Sequence, residues 1–213
     1  MFPVILALAG IGFVAALLGA TKRAPGAVIS YDVPAPWPPA ATGGYVTTTT
    51  IPKMFTAEIV ASAIKWANAR GVPAQEILAT IYVESRGNPR AWANKVNEDS
   101  RGLMQVNVRA WAKSLAKYGM TVDDLWDIDK NIMIGSDIYA TYRKKVQSLI
   151  AQSGVPQAAP IDVLTRLYYK GPAYVQKKIL AGLDASSPYK DADKAVANWK
   201  VAMALANQVT SVA

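Results

Sequence analysis

The chain runs to 213 residues and contains neither histidine nor cysteine. That excludes Ser-His-Asp and Cys-His catalysis, Cys/His zinc sites and any disulfide framework, leaving acid–base work to carboxylates, lysine or tyrosine. The net charge of +8 suits a polyanionic partner, yet the basic residues are scattered singly or in short pairs such as Lys144–Lys145 and Lys177–Lys178, as on a solvated surface.

Met1–Thr21 carries no charged side chain, and Lys22–Arg23 follow directly. About twenty apolar residues are enough to span a bilayer as a helix. A cleaved signal peptide would want a basic stretch ahead of the apolar run, and there is none. Residues 1–23 therefore read as an uncleaved transmembrane anchor. Residues 24–53 hold six prolines, a Gly-Gly pair and the run Thr47–Thr50, with no helical or strand period. They read as an extended linker, able to reach roughly 90 Å in a polyproline-like form.

Residues 54–213 are long enough for one domain with a real core, and their pattern is helical throughout. Phe55-Thr56 offers a staple and cap for a helix that turns Ile59, Val60, Ala63 and Ile64 inward and ends at Gly71. Pro73 suits the first turn of a second helix, which stops at Gly87-Asn88-Pro89. Residues 88–101 are polar and irregular, room for a loop or a short hairpin. Asn107 would cap a helix running through Trp111, Leu115 and Tyr118 to Gly119. Asp129 would cap a long helix using Ile132, Tyr139, Val146, Leu149 and Ile150. A short helix over 161–170 closes at Gly171-Pro172, and a last one over about 189–208 carries Ala192, Val196, Trp199 and Met203 at three- and four-residue steps. Long alternating strand patterns are absent, so the expected fold is mainly α with at most a small β element.

Among the four glutamates, Glu84 stands out. Ile77, Ile81 and Glu84 fall on one helix face, where an apolar side chain is expected. A desolvated carboxyl favours its protonated form, the condition for a general acid near neutral pH.

The stretch Glu84-Ser85, then Asn88-Pro89, then Ser100 ahead of Gly102-Leu103-Met104-Gln105 resembles the catalytic domain of soluble lytic transglycosylases, in the lysozyme-like superfamily. Further on, Asn131-Ile132, Gly135 and Tyr139 match the family's next block, and Tyr168-Tyr169-Lys170-Gly171 its last. The spacing between the first two blocks is a few residues longer than usual, and Tyr169 stands where the family has Asn. The likeness covers about residues 77–175. It implies a lysozyme-like helical domain that binds peptidoglycan glycan strands without cofactor or metal. The bond between N-acetylmuramic acid and N-acetylglucosamine would be cut without water, giving a 1,6-anhydro end. Glu84 would serve first as acid and then as base. Ser100, Gly102, Met104, Gln105, Tyr168 and Tyr169 would contact substrate, with Leu103 in the core.

Other readings stay open. Glu98 or Asp99 would serve as a second carboxylate if the enzyme were a hydrolysing lysozyme. A membrane-anchored, non-enzymatic wall-binding or structural module is the third reading, and Tyr169 its best argument. Nucleic acid is not an expected partner, because basic and aromatic residues do not interleave along the chain. The Lys22–Arg23 flank would place the chain on the cytoplasmic side. A wall substrate on the periplasmic side or beyond a virion membrane therefore calls for a delivery route, as in bacteriophage entry or a conjugation or secretion machine.

Overall fold

A computed structural model describes residues 54–96, 98–183, 185 and 192–211. The expected anchor over 1–23 and linker over 24–53 lie outside them. Among the described residues no helix is long and apolar enough to cross a membrane.

The described residues form seven α-helices and a three-stranded sheet: α1 (Ala57–Arg70), α2 (Ala74–Ser85), β1 (Trp92–Lys95), β2 (Glu98–Arg101), β3 (Val106–Asn107), α3 (Ala112–Lys117), α4 (Ile128–Ser153), α5 (Ile161–Lys170), α6 (Pro172–Leu180) and α7 (Ala192–Thr210). A single 3₁₀ turn, Asp123–Trp126, precedes α4. The mainly helical expectation holds, and the loop over 88–101 folds as the hairpin β1–β2.

α1 is bounded as its sequence suggests. Thr56 Oγ1 accepts from the Ile59 N–H at 3.3 Å, and Gly71 ends the helix at φ +65°. α2 starts after Pro73 and ends earlier than Gly87, with Arg86 in the left-handed region at φ +55°.

Two caps differ from expectation. The N-cap of α4 is Asp127, whose carboxylate accepts from the Lys130 N–H at 2.9 Å. Asp129 instead reaches α1, where Ser62, Trp66 and Lys65 all donate to it. Its partial burial would raise the carboxyl, but those three donors outweigh burial and hold it below the ordinary range. Asn107 caps a turn, accepting from the Ala110 N–H at 2.9 Å, and α3 begins only at Ala112. The helix α6 was not expected; Pro172 at its first turn opens it directly behind α5.

α4 runs between α1, α5 and α6, while α2 packs against α7. Ile77, Leu78, Ile81, Leu103, Met104, Ile132 and Trp199 share the main core. A smaller cluster of Val106, Leu115, Leu125, Ile134 and Ile138 lies beneath β3 and α3. The sheet is antiparallel in the order β1-β2-β3, with Trp92 opposite Arg101 and Lys95 opposite Glu98.

Candidate active site

Glu84 occupies the last turn of α2, and its side chain is 10% exposed. Ile77 and Ile81 on the same face are fully buried, so the helical register places the carboxyl at the rim of the core as its spacing suggests. The surroundings are not the apolar wall that the pattern implies. Arg166 Nη1 of α5 donates to Glu84 Oε1 at 2.5 Å, and Lys170 Nζ, one turn further along, stands 3.7 Å from the same oxygen. Arg166 is 2% exposed and sits over the rings of Tyr169 and Trp199 at 5.5 and 6.0 Å. No donor is placed on Glu84 Oε2 among the described residues.

Burial pushes the Glu76 carboxyl, at the other end of α2, above its ordinary range. It is 4% exposed and stays elevated even though Arg143 Nε donates to it at 3.2 Å. Nearly three helical turns, on the order of 12 Å, separate its backbone from that of Glu84.

The turn Gly102–Gln105 is fastened to α4 by one side chain. Asn131, 1% exposed, accepts from the Met104 N–H at 2.8 Å and donates to the carbonyls of Arg101 and Leu125, both at 2.9 Å. Gly102, at φ +75°, is required here, because a Cβ would collide with Asn131 Nδ2 and the Leu125 carbonyl. Gly135 on α4 leaves room for the Met104 side chain, which would collide with any Cβ there.

The expected contact residues divide accordingly. The Met104 side chain is 1% exposed and belongs to the core, as does Leu103; what Met104 offers is its carbonyl, which accepts from the Tyr169 hydroxyl at 3.1 Å. Gln105 adopts φ +48° and donates its amide to the carbonyls of Ala91 and Gly102 at 2.9 and 3.0 Å, tying the turn to the start of the hairpin. Ser100 is 4% exposed in β2, and no hydrogen bond joins it to Glu84 among the described residues. Tyr168 packs edge-on against Tyr142 with centroids 5.4 Å apart and is 7% exposed, so its ring belongs to the core. Tyr169, at the position that departs from the family pattern, is close enough for Glu84 to act on its hydroxyl. Burial pushes its hydroxyl well above the ordinary phenol range, and the Glu84 carboxylate adds to that rise. The outcome is a continuous chain of contacts from Glu84 through Arg166 and Tyr169 to the Met104 carbonyl.

Each candidate second carboxylate has a cation of its own within the hairpin. Asp99 is gripped by Arg101 through Nε at 2.9 Å and Nη2 at 3.2 Å, and accepts from Trp92 Nε1 at 3.0 Å. The Arg101 guanidinium holds the Asp99 carboxyl below its ordinary range. Glu98 lies 3.6 Å from Lys95 across the hairpin, half-exposed. Among the described residues no group of three or more carboxylates could hold a metal ion.

Sequence reasoning missed Arg166 and Lys170. The available signal was a cation at position 166 inside the apolar stripe Val163-Leu164-Leu167, with a second one a helical turn later. Two non-glycine residues in left-handed backbone, Arg86 and Gln105, flank the site, each holding strain of about 1–3 kcal/mol. No curated protein matches the chain. The family model described as Transglycosylase SLT domain matches residues 61–155, which takes in Glu84, the Gly102–Gln105 turn and Asn131 but stops short of α5. Over residues 61–155 the chain is similar to transglycosylase SLT domains.

Proposed function

We propose that the protein is a peptidoglycan lytic transglycosylase with Glu84 as its single acid and base. The observation that carries this reading is the placement of Glu84 within the stretch that matches the SLT family model, at a helix end, with Arg166 and Lys170 on Oε1 and no donor on Oε2 among the described residues. Protonated at Oε2, Glu84 would give its proton to the leaving glycosidic oxygen as the bond from the anomeric carbon breaks. The resulting carboxylate, stabilised by Arg166, would take the proton from the C6 hydroxyl of the same sugar as that oxygen closes on the anomeric carbon. The proton returns to Glu84 and no water is consumed. Two-carboxylate glycosidases hold their second carboxyl about 5–9.5 Å from the first. Asp99 is clasped by Arg101 and Trp92, so no observation favours the lysozyme alternative.

The apolar N-terminal stretch and the proline-rich linker support a membrane-tethered enzyme that opens the wall locally for something large, in bacteriophage entry or a conjugation or secretion machine. Carbonate extraction and protease accessibility of the full chain would test the tether and its side. The chemistry is tested by digesting purified peptidoglycan with the full chain and with Glu84→Gln. Products one water lighter than reducing muropeptides, lost in the variant, are expected. Reducing products would replace this reading with a hydrolase, and a folded, inactive wild-type chain would replace it with a wall-binding module.

A further inference from the structure

Trp92 is the most exposed aromatic side chain among the described residues, at 56% of its full area, yet it is not loose. Its indole N–H donates to Asp99, its ring meets Trp126 edge-on with centroids 6.4 Å apart, and the Arg101 guanidinium lies 5.7 Å from its centroid. Arg101 is also 5.4 Å from the Trp126 ring, and Arg90 covers Trp126 at 5.9 Å. The hairpin register makes this group: Trp92 and Arg101 are cross-strand partners, and the 3₁₀ turn brings Trp126 to them. Along the sequence these residues are scattered over 90–126, which is why no interleaved cluster shows there.

Local charge decides what such a platform suits. Arg101 is bidentate to Asp99 and reaches Asp123 Oδ1 at 3.2 Å, so two carboxylates stand against the guanidiniums of Arg101 and Arg90. Arg109 also acts on the Asp99 carboxylate, so the patch carries about one net positive charge, too little to favour the phosphate chain of a nucleic acid. An indole face held by Asp99, with a second carboxylate, Asp123, on Arg101, suits a neutral ring with an apolar face and hydroxyl donors at its edge. The platform is also bolted to the candidate active site. The Ala91 carbonyl, next to Trp92, accepts from both the Gly102 N–H at 2.9 Å and the Gln105 amide at 2.9 Å.

We propose that Trp92, set on Trp126 and held by Asp99 and Arg101, is a sugar-stacking subsite that grips an N-acetylated glycan strand at a distance from Glu84. This rests on the glycan-cleaving function above, and the experiment separates the two. Binding of β-1,4-linked N-acetylglucosamine hexamer and dimer is measured by titration calorimetry on the full chain carrying Glu84→Gln, so no turnover intervenes. Trp92→Ala should weaken hexamer binding about tenfold and leave dimer binding within about twofold. Trp92→Gln keeps a donor for Asp99 but removes the ring, and it should lose as much, while Trp92→Phe should stay within about threefold of the parent. Hexamer affinity retained in folded Trp92→Ala or Trp92→Gln would overturn the subsite. So would steeply salt-dependent binding of a single-stranded oligonucleotide that disappears in Trp92→Ala while hexamer binding stays. If the wild-type chain cleaves no peptidoglycan but Trp92-dependent hexamer binding persists, the enzymatic reading fails and the subsite stands.

Discussion

Asn131→Asp is the sharpest probe of how the candidate site is held. The substitution changes one atom group, keeps the side-chain volume and retains the oxygen that accepts from the Met104 N–H. It removes the amide donor facing the Arg101 and Leu125 carbonyls, two hydrogen bonds of 2.9 Å each. Each contributes about 1 kcal/mol net, and leaving buried acceptors unpaired costs a further 1–3 kcal/mol. An acidic oxygen facing two carbonyls at a site 1% exposed adds desolvation to the loss. Together these predict a destabilisation of about 4 kcal/mol, a large share of the roughly 5–15 kcal/mol that holds a domain. Urea unfolding of the full chain by circular dichroism reads the stability, and peptidoglycan digestion at a temperature where the variant is still folded reads the turn. Wall cleavage should fall, because the turn that meets Tyr169 and Gln105 is released from α4. A variant within about 0.5 kcal/mol of the parent would refute the claim that Asn131 fastens this turn.

Arg166→Met should cost about 3 kcal/mol in the native background, because it leaves the Glu84 carboxylate facing only half-exposed Lys170, but well under 1 kcal/mol when Glu84 is already Gln; additive losses in a double-mutant cycle would show that the pair is not coupled. Asp129→Asn should destabilise the chain by about 1 kcal/mol at neutral pH, a figure kept small because the carboxylate is half-exposed. The folded carboxyl lies below its ordinary value of 3.8, so its contribution is present above that pH and lost as pH falls through the lower folded value. Parent and Asp129→Asn should therefore converge in acid unfolding below about pH 4, and a gap that widens there would contradict the argument. Gly135→Ala should destabilise by about 2 kcal/mol in thermal unfolding, since the new methyl meets the Met104 side chain near its root as well as at its sulfur, and an unchanged melting temperature would mean that the turn yields freely.

Sequence order carried the local rules. The Thr56 cap, the Gly71 stop and the inward stripe of α1 depend on neighbours within four residues, and they stand where the pattern places them. Asp127 and Asp129 show the limit. Both are plausible caps two residues apart, and the choice fell to Asp127 because Ser62, Lys65 and Trp66 of α1 claim Asp129. Hydrogen bonds spanning more than sixty residues cannot be weighed against an N-cap by inspection of the chain. α6 was missed because the Gly171-Pro172 stop of α5 is also a start, and proline at a first helical turn serves both purposes.

Composition alone eliminated histidine and cysteine chemistry, and helical spacing placed Glu84 at the edge of the core. Those conclusions need only residue types and a period of 3.6. What surrounds Glu84 was decided by tertiary structure. Arg166 is 82 positions away and reaches the carboxyl only because α5 packs beside the core shared by α2 and α4. The same holds for Asn131 fastening the Gly102–Gln105 turn and for Trp92 and Trp126 meeting beside it. A helix period says which face turns inward, but which charge or ring waits on the facing element depends on how the helices cross, and no local rule contains that geometry.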